Sequence, residues 1–213
     1  FKQKLRSDGN MDKEYYNCLK DKFSHGIDDA KRLFTKYASG DSIENAVYEN
    51  TAYYNTKTKK ISMNYGADLK NPRGAGATWF HEHGHLVDDL AGNLSDDKNF
   101  IQLLESDSLS YRIAYGKAHH LGTFDKVDKA ISEELGDMRK DSAISDLFDG
   151  VTQGNIIGCA SHPKEYWKNR DNVTSEAFAH MFEAQFDKKR YEQMKKYFPN
   201  ALEYFEKKMK EAL

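Results

Sequence analysis

The sequence predicts a mainly helical α+β fold with a small antiparallel β-sheet placed ahead of its central helix. Apolar residues recur at three- and four-residue steps over most of the chain, which is typical of helices. Only residues 46–65 favour strands. The 213 residues contain three prolines and no linker rich in Pro, Gly or Ser, so we expect one domain over residues 1–213. Since the sequence does not begin with Met, we expect this domain to be cut from a longer protein.

The first elements are a helix and a hairpin. Apolar residues at helical spacing predict a helix over residues 11–39, with Gly40 as its stop. Residues 46–54 and 60–65 are rich in residues that favour strands, and the polar NTKTK between them predicts a turn. Together they predict an antiparallel β-hairpin.

The rest of the chain is predicted to be helical, apart from two irregular stretches. Pro72 and the glycines of residues 66–77 argue against a regular element there, and residues 150–172 also lack a periodic pattern. Thr174 is a suitable N-cap for the helix that follows it. The predicted helices cover residues 78–91, 97–109, 124–149, 175–186 and 188–212, the last as one helix or a pair.

Composition excludes several classes of protein. Lys+Arg 32 against Asp+Glu 34 gives a net charge of −2, which argues against a nucleic-acid-binding surface. No apolar run is long enough to cross a membrane, and the first ten residues lack the apolar core of a signal peptide. Cys18 and Cys159 are too few for a disulfide framework or a cysteine-rich zinc site, and they favour a reducing compartment.

The segment His81-Glu82-His83-Gly84-His85 carries the clearest chemistry in the chain. His81 and His85 are four residues apart, so on a helix they project from one face and can occupy adjacent corners of a tetrahedral zinc site. Glu82 lies beside them, where a general base can take a proton from water. His83 points away from the pair, and we expect it to be solvated or to support the ligands. Gly84 predicts a close approach of another backbone.

A catalytic zinc needs a third protein ligand and one open position. Glu176 stands out among the candidates, since a carboxylate beside an apolar helix face is costly unless it is paired or metal-bound. On spacing alone, the role of a first-turn charge favouring the helix dipole is equally open. His180, one turn later, is the alternative ligand. The other candidates considered are Glu183, His162 and the pair His119 and His120, which we expect to lie on the surface.

Residues 81–92, HEHGHLVDDLAG, resemble the active-site helix of the anthrax lethal factor family of zinc peptidases. Residues 176–179, Glu-Ala-Phe-Ala, resemble the second helix of that family, which supplies a glutamate ligand. Metallopeptidase domains fused to phage minor head proteins look similar too, including a Tyr-Trp pair ahead of a Glu-Ala-Phe-Ala helix. The resemblance covers about a third of the chain directly.

The resemblance implies a zincin fold and hydrolysis of peptide bonds. It implies that His81, His85 and Glu176 bind Zn²⁺ and that Glu82 is the general base. The predicted hairpin would supply an edge strand, residues 61–65, along which a peptide or protein substrate lies extended.

The sequence departs from the family at the residue thought to stabilise the oxyanion. The family has a tyrosine seven residues before its glutamate, where this chain has Asn169. Tyr166 and His162 are the candidates to replace it, and Tyr166 is preferred. Asp88 and Asp89 follow His85 and either hold the second N–H of a ligand histidine or form a solvated helix end.

Three functions remain open at this stage. An active zinc endopeptidase is favoured by the intact Glu82, because a structural zinc site needs no general base. A catalytically weak scaffold in a phage head-associated protein is favoured by the missing tyrosine. A non-peptidase hydrolase using the same zinc is the third. The expected location is accordingly the cytoplasm or a phage particle.

Overall fold

The structure is a computed structural model that describes residues 11–49 and 51–213. It confirms a mainly helical α+β fold with a small sheet. The chain divides into two compact units. The first unit comprises the described part of Phe1–Leu94 with Phe178–Lys188 and Lys207–Leu213, and the second unit comprises Ser95–Ala177 and Lys189–Glu206. The organisation as a single domain stays a prediction.

The first unit contains four helices and three strands among its described residues before Leu94. The helices are α1 (Lys13–His25), α2 (Asp28–Tyr37), α3 (Tyr65–Leu69) and α4 (Ala77–Leu90). The strands are β1 (Ile43–Asn45), β2 (Tyr53–Asn55) and β3 (Lys60–Met63).

The remaining helices follow the sheet in sequence. The second unit contains α5 (Lys98–Ala118), α6 (Phe124–Glu134) and α7 (Met138–Thr152). Helix α8 (Arg170–Ala184) begins in the second unit and ends in the first without a break. It is followed by α9 (Lys188–Tyr197) and α10 (Pro199–Glu211), the pair predicted at the C-terminal end. Within residues 11–49 and 51–213, none of the helices combines the length and apolar character that a bilayer crossing needs.

The single helix predicted over residues 11–39 is wrong, because the chain breaks at Gly26. Gly26 adopts an extended conformation, and a β-carbon there would collide with the ring of Phe186. The next residue, Ile27, donates its backbone N–H to the carbonyl of Gln185 at 3.0 Å. At this break the chain therefore gives up helical hydrogen bonds and gains close packing against the end of α8.

The hairpin is confirmed, but the sheet has a third strand. Strand β3 pairs antiparallel with β2 and parallel with β1, so the strand order is β1-β3-β2. The prediction that residues 61–65 form an edge strand for a substrate is therefore wrong, since β3 is paired on both sides. Strand β1 was not predicted because three residues are too short to show a period. The strand predicted over residues 46–54 is wrong over residues 46–49 and 51–52, because a turn closes there with the backbone N–H of Glu49 donating to the carbonyl of Ala46 at 3.0 Å. Asn50 and residues 1–10, which were predicted to lack a signal-peptide core, lie outside the described residues.

A short helix replaces part of the loop predicted over residues 66–77. Asn64 caps α3 by accepting a hydrogen bond from the backbone N–H of Ala67 at 3.0 Å. Tyr65 and Asp68 are buried within it. Side-chain capping and burial therefore outweigh the helix-weakening effect of Gly66.

Helix α4 is the centre of the first unit and packs on α2, α3, β2 and β3. The rings of Phe80 and Phe186 stack at 4.2 Å, and Trp79 meets the ring of Tyr15 edge-on at 6.1 Å. Such aromatic pairs each contribute about 1 kcal/mol beyond the burial of their area. Ring packing in these two different directions therefore fixes the orientation of α4 about its axis.

In the second unit, three predicted boundaries move. The helix predicted over residues 97–109 continues to Ala118. The helix predicted over residues 124–149 breaks at Gly136, where buried Leu135 accepts a hydrogen bond from the backbone N–H of Cys159 at 2.7 Å. The predicted N-cap Thr174 lies inside α8. Asn169 takes that role, accepting a hydrogen bond from the backbone N–H of Asp171 at 3.1 Å. The earlier start of α8 moves Glu176 out of its first turn.

Helix α7 holds the irregular segment between residues 153 and 165. The Ser145 hydroxyl accepts hydrogen bonds from the backbone N–H groups of Gly158 and Ala160, both at 3.1 Å. Asp149 accepts a hydrogen bond from the indole N–H of Trp167 at 2.7 Å. These contacts give a chain without regular structure a fixed path, and that path carries His162 and Tyr166.

Candidate metal centre

The start of α4 is anchored by a buried carboxylate. Asp68 Oδ2 accepts hydrogen bonds from the hydroxyl of Tyr15 at 2.5 Å and from the backbone N–H of Gly76 at 3.1 Å. Gly76 has a φ of 78°, which favours glycine. Burial raises the pKa of Asp68, although these hydrogen bonds oppose the rise.

His81 and His85 lie one turn apart on α4, as their spacing predicts. Their ring centroids are 4.9 Å apart and their planes are nearly perpendicular, at 87°. His81 and Glu82 are buried, and His85 is half-buried. The two imidazoles and the carboxylate thus share a partly enclosed part of the helix.

His83 is fully buried and not solvated. Its Nδ1 hydrogen-bonds the carbonyl of Trp79 at 2.7 Å, and its ring lies 4.8 Å from Phe34 and 4.7 Å from Trp79. Burial lowers the pKa of His83 to about 4, so the ring is neutral at physiological pH. It packs away from His81 and His85, which agrees with the prediction that it is not a ligand.

Helix α8 brings further polar side chains to α4 within the first unit. The ring of His180 lies 4.4 Å from that of His81. Glu183 Oε2 lies 3.4 Å from His180 Nδ1 and 3.7 Å from His81 Nδ1. The same oxygen accepts a hydrogen bond from the guanidinium of Arg73 at 2.7 Å.

These side chains fit a metal ion by their chemistry. His81, His180 and Glu183 each offer a ligand atom, and these atoms lie within 4.8 Å of one another. Imidazole nitrogen and carboxylate oxygen together suit zinc among the common divalent metals. The first unit alone therefore gathers donors of the type that zinc uses.

In the second unit, Glu176 is buried and hydrogen-bonded. The Tyr166 hydroxyl donates to Glu176 Oε1 at 2.7 Å, and His162 Nε2 lies 3.9 Å from the same oxygen. Because α8 begins at Arg170, Glu176 is not a first-turn charge, which removes the helix-dipole explanation for it. The structure thus brings together both residues that were predicted as alternatives for oxyanion stabilisation.

His162 is held by a carboxylate that the sequence did not single out. Its Nδ1 lies 2.8 Å from Asp146 Oδ1, and its ring stacks on Tyr166 with centroids 4.5 Å apart. Burial lowers the pKa of His162, but Asp146, Glu176 and Asp149 together raise it above its usual value. Asp146 could not be identified from the sequence because its partner lies sixteen residues away on an irregular segment.

The structure also places the remaining residues that the sequence singled out. Asp89 accepts hydrogen bonds from the Tyr54 hydroxyl at 2.6 Å and from Lys59 at 2.5 Å, so it fixes the hairpin to the end of α4. Asp88 is buried. His119 and His120 are exposed, as predicted.

Arg73 is the polar residue of this region that the sequence analysis missed. It lies in the glycine-containing loop before α4, and its partner Glu183 is 110 residues further along the chain. No local periodicity could signal such a pair.

No family model, curated protein or solved structure matches this chain. Its function is therefore inferred from its own side chains.

Proposed function

We propose that this chain is a zinc-dependent peptidase in which His81, His85 and Glu176 hold Zn²⁺ and Glu82 is the general base. The observation that carries the proposal is the pairing of His81 and His85 on one face of α4, with the ring of His180 at 4.4 Å from His81. Glu176 precedes His180 by one turn of the same unbroken helix, which puts both side chains on one face of α8. The resemblance of residues 81–92 to the lethal factor family supports the same ligand set.

Two of the possible donor sets contain His81. One is the set predicted from the sequence, with His85 and Glu176, and the other lies within the first unit and adds His180 and Glu183. The first is preferred because the Arg73 guanidinium binds Glu183 at 2.7 Å. That positive charge beside the carboxylate opposes the approach of a divalent cation.

Zinc, when bound, would lower the pKa of a coordinated water toward about 7 and polarise a carbonyl group. Glu82 directly follows one proposed ligand and precedes the other by three residues, so it would be the general base for such a water. It would accept the proton during attack on the peptide carbonyl and pass it to the leaving amine.

Tyr166 is the preferred donor to the oxyanion that develops on the substrate. Its hydroxyl already donates to Glu176 Oε1, which puts the phenol beside a proposed ligand. His162 stacks on the same ring and is oriented by Asp146, so it is the second candidate donor. Either group would stabilise negative charge only as it forms, which is what raises turnover.

A peptide substrate would need a strand edge other than β3. Within the described residues, β1 and β2 are the outer strands of the sheet. Strand β2 packs on α4, and Asp89 of α4 binds its Tyr54. The outer side of β2 is therefore the proposed place for an extended peptide.

The test is cleavage of a broad peptide library by the zinc-loaded chain and by its Glu82→Gln variant. Cleavage by the wild type that is lost in Glu82→Gln, with zinc content unchanged, would support the peptidase. Stoichiometric zinc without cleavage by either form would contradict it and favour the zinc-bound scaffold of a phage head-associated protein.

A further inference from the structure

We infer that Glu183 and Arg73 act as a charged pair that positions His81 for metal binding, an inference that rests on the proposed function. Neither residue is a ligand in the preferred set. Both belong to the first unit, where they lie between the loop before α4 and the end of α8.

The geometry around Glu183 centres on one oxygen. Its Oε2 lies 2.7 Å from the Arg73 guanidinium and 3.7 Å from His81 Nδ1. The side chain of Glu183 is 2% exposed and that of Arg73 is 16% exposed. The pair is therefore enclosed, and its charges are screened far less than those of surface pairs.

A histidine ligand binds a metal through one ring nitrogen and usually donates its other N–H to a carboxylate or carbonyl. At 3.7 Å the charge of Glu183 favours the tautomer of His81 that carries its proton on Nδ1, which leaves Nε2 for the metal. The same oxygen lies 3.4 Å from His180 Nδ1, so Glu183 would act on both histidine rings.

Arg73 makes this arrangement possible by compensating the buried charge of Glu183. A carboxylate removed from water is costly unless it is paired and hydrogen-bonded. Arg73 is itself held in place, because Asn71 accepts a hydrogen bond from its backbone N–H at 2.9 Å. The side-chain amide of Asn71 donates to Thr78 Oγ1, in the first turn of α4, at 3.0 Å. The loop thus ties the guanidinium to the helix that carries His81.

The experiment measures zinc affinity by competition with a chromophoric chelator for the wild type, Glu183→Gln, Arg73→Ala and the double variant. Glu203→Gln, at an exposed position, is the matched control. We expect Glu183→Gln to weaken zinc binding about 10- to 100-fold, as loss of a supporting partner does. At saturating zinc it should still bind one ion, with the same number of nitrogen donors in its X-ray absorption spectrum.

The double variant tests whether Arg73 acts through Glu183. If it does, the double variant should bind zinc no more weakly than Glu183→Gln alone, since the effects of residues in one network do not add. Circular dichroism of the zinc-free proteins checks folding. If Glu183→Gln does not fold, Arg73→Lys decides the question, because it keeps the positive charge but loses the planar guanidinium that holds Glu183, and zinc affinity should fall as in Glu183→Gln.

Two results would overturn this inference while leaving the proposed function intact. Unchanged affinity in Glu183→Gln would show that the pair does not support His81. Loss of one oxygen donor from the metal would show that Glu183 is a ligand. Both presuppose that the wild type binds zinc and cleaves peptides in a Glu82-dependent way, whereas failure of the wild type to bind zinc would overturn the proposed function itself.

Discussion

A β-carbon placed on Gly84 would lie 2.7 Å from the Cα of Ala179. Helices α4 and α8 therefore approach each other, backbone to backbone, one residue before His85 and one before His180. Glycine inside a helix costs about 1 kcal/mol relative to alanine, and the close helix approach that it permits offsets this cost.

Gly84→Ala should therefore destabilise the protein, although alanine favours helices. We expect a loss of about 1–3 kcal/mol in the free energy of unfolding, as overpacking produces, together with weaker zinc binding. Urea denaturation of the zinc-free protein measures the first effect. Gly66→Ala is the control, since its β-carbon would meet nothing nearer than 3.5 Å and should be tolerated. Equal effects of the two substitutions would contradict the close helix approach.

The third ligand is tested by comparing Glu176→Ala with His180→Ala. In the preferred set, Glu176→Ala should lose most of its zinc at micromolar metal, because only two protein ligands remain. His180→Ala should retain one zinc per chain with reduced affinity. Metal analysis after gel filtration distinguishes them, and the reverse result would assign His180 as the ligand.

Tyr166 has two predicted roles that kinetics can separate. Tyr166→Phe removes the hydrogen bond to Glu176 and should weaken zinc binding about tenfold. If the hydroxyl also stabilises the oxyanion, kcat at saturating zinc should fall about 10²- to 10³-fold with little change in KM. Tyr48→Phe is the control, because Tyr48 is 97% exposed. An unchanged kcat would transfer the oxyanion role to His162 or to neither residue.

Tyr15→Phe should destabilise the first unit by removing a donor to buried Asp68. A lost hydrogen bond to a charged group costs about 1.5–3 kcal/mol. That hydrogen bond lowers the pKa of Asp68, so the pKa in the folded protein should rise further above its unfolded value. Protonated Asp68 contributes stability that is fully present below its unfolded pKa. This contribution is lost as the pH rises through the folded pKa.

The destabilisation by Tyr15→Phe should accordingly be larger at about pH 7 than at about pH 4. Denaturant unfolding at the two pH values measures it. Tyr16→Phe, at the half-buried neighbouring position, provides the comparison. An equal loss of stability at both pH values would mean that removal of the hydroxyl does not change the pKa of Asp68.

The sequence predicts the fold best where one element carries a strong local pattern. Helix α4 was predicted over residues 78–91 and is observed at Ala77–Leu90, since its apolar residues and the stop at Gly92 act locally. The break at Gly26 and strand β1 were missed, because Phe186 and β3, which decide them, are distant in sequence.

The residues of the candidate site also divide into those with a local sequence signal and those without one. His81 and His85 follow from helical spacing. The hydrogen bond of 2.7 Å between Tyr166 and Glu176 was not predicted, and the role of Tyr166 at the oxyanion stays a prediction. Arg73 and Asp146 carry no local signal, since each acts on a side chain that only tertiary folding brings near.

The most direct test of the central claim is the zinc content of the chain purified without added metal, measured beside His85→Ala by native mass spectrometry. The account predicts one zinc per wild-type chain and loss of that zinc in His85→Ala, with the variant still folded. A wild-type chain that binds no zinc at micromolar metal, or a His85→Ala variant that binds it equally well, would contradict the account.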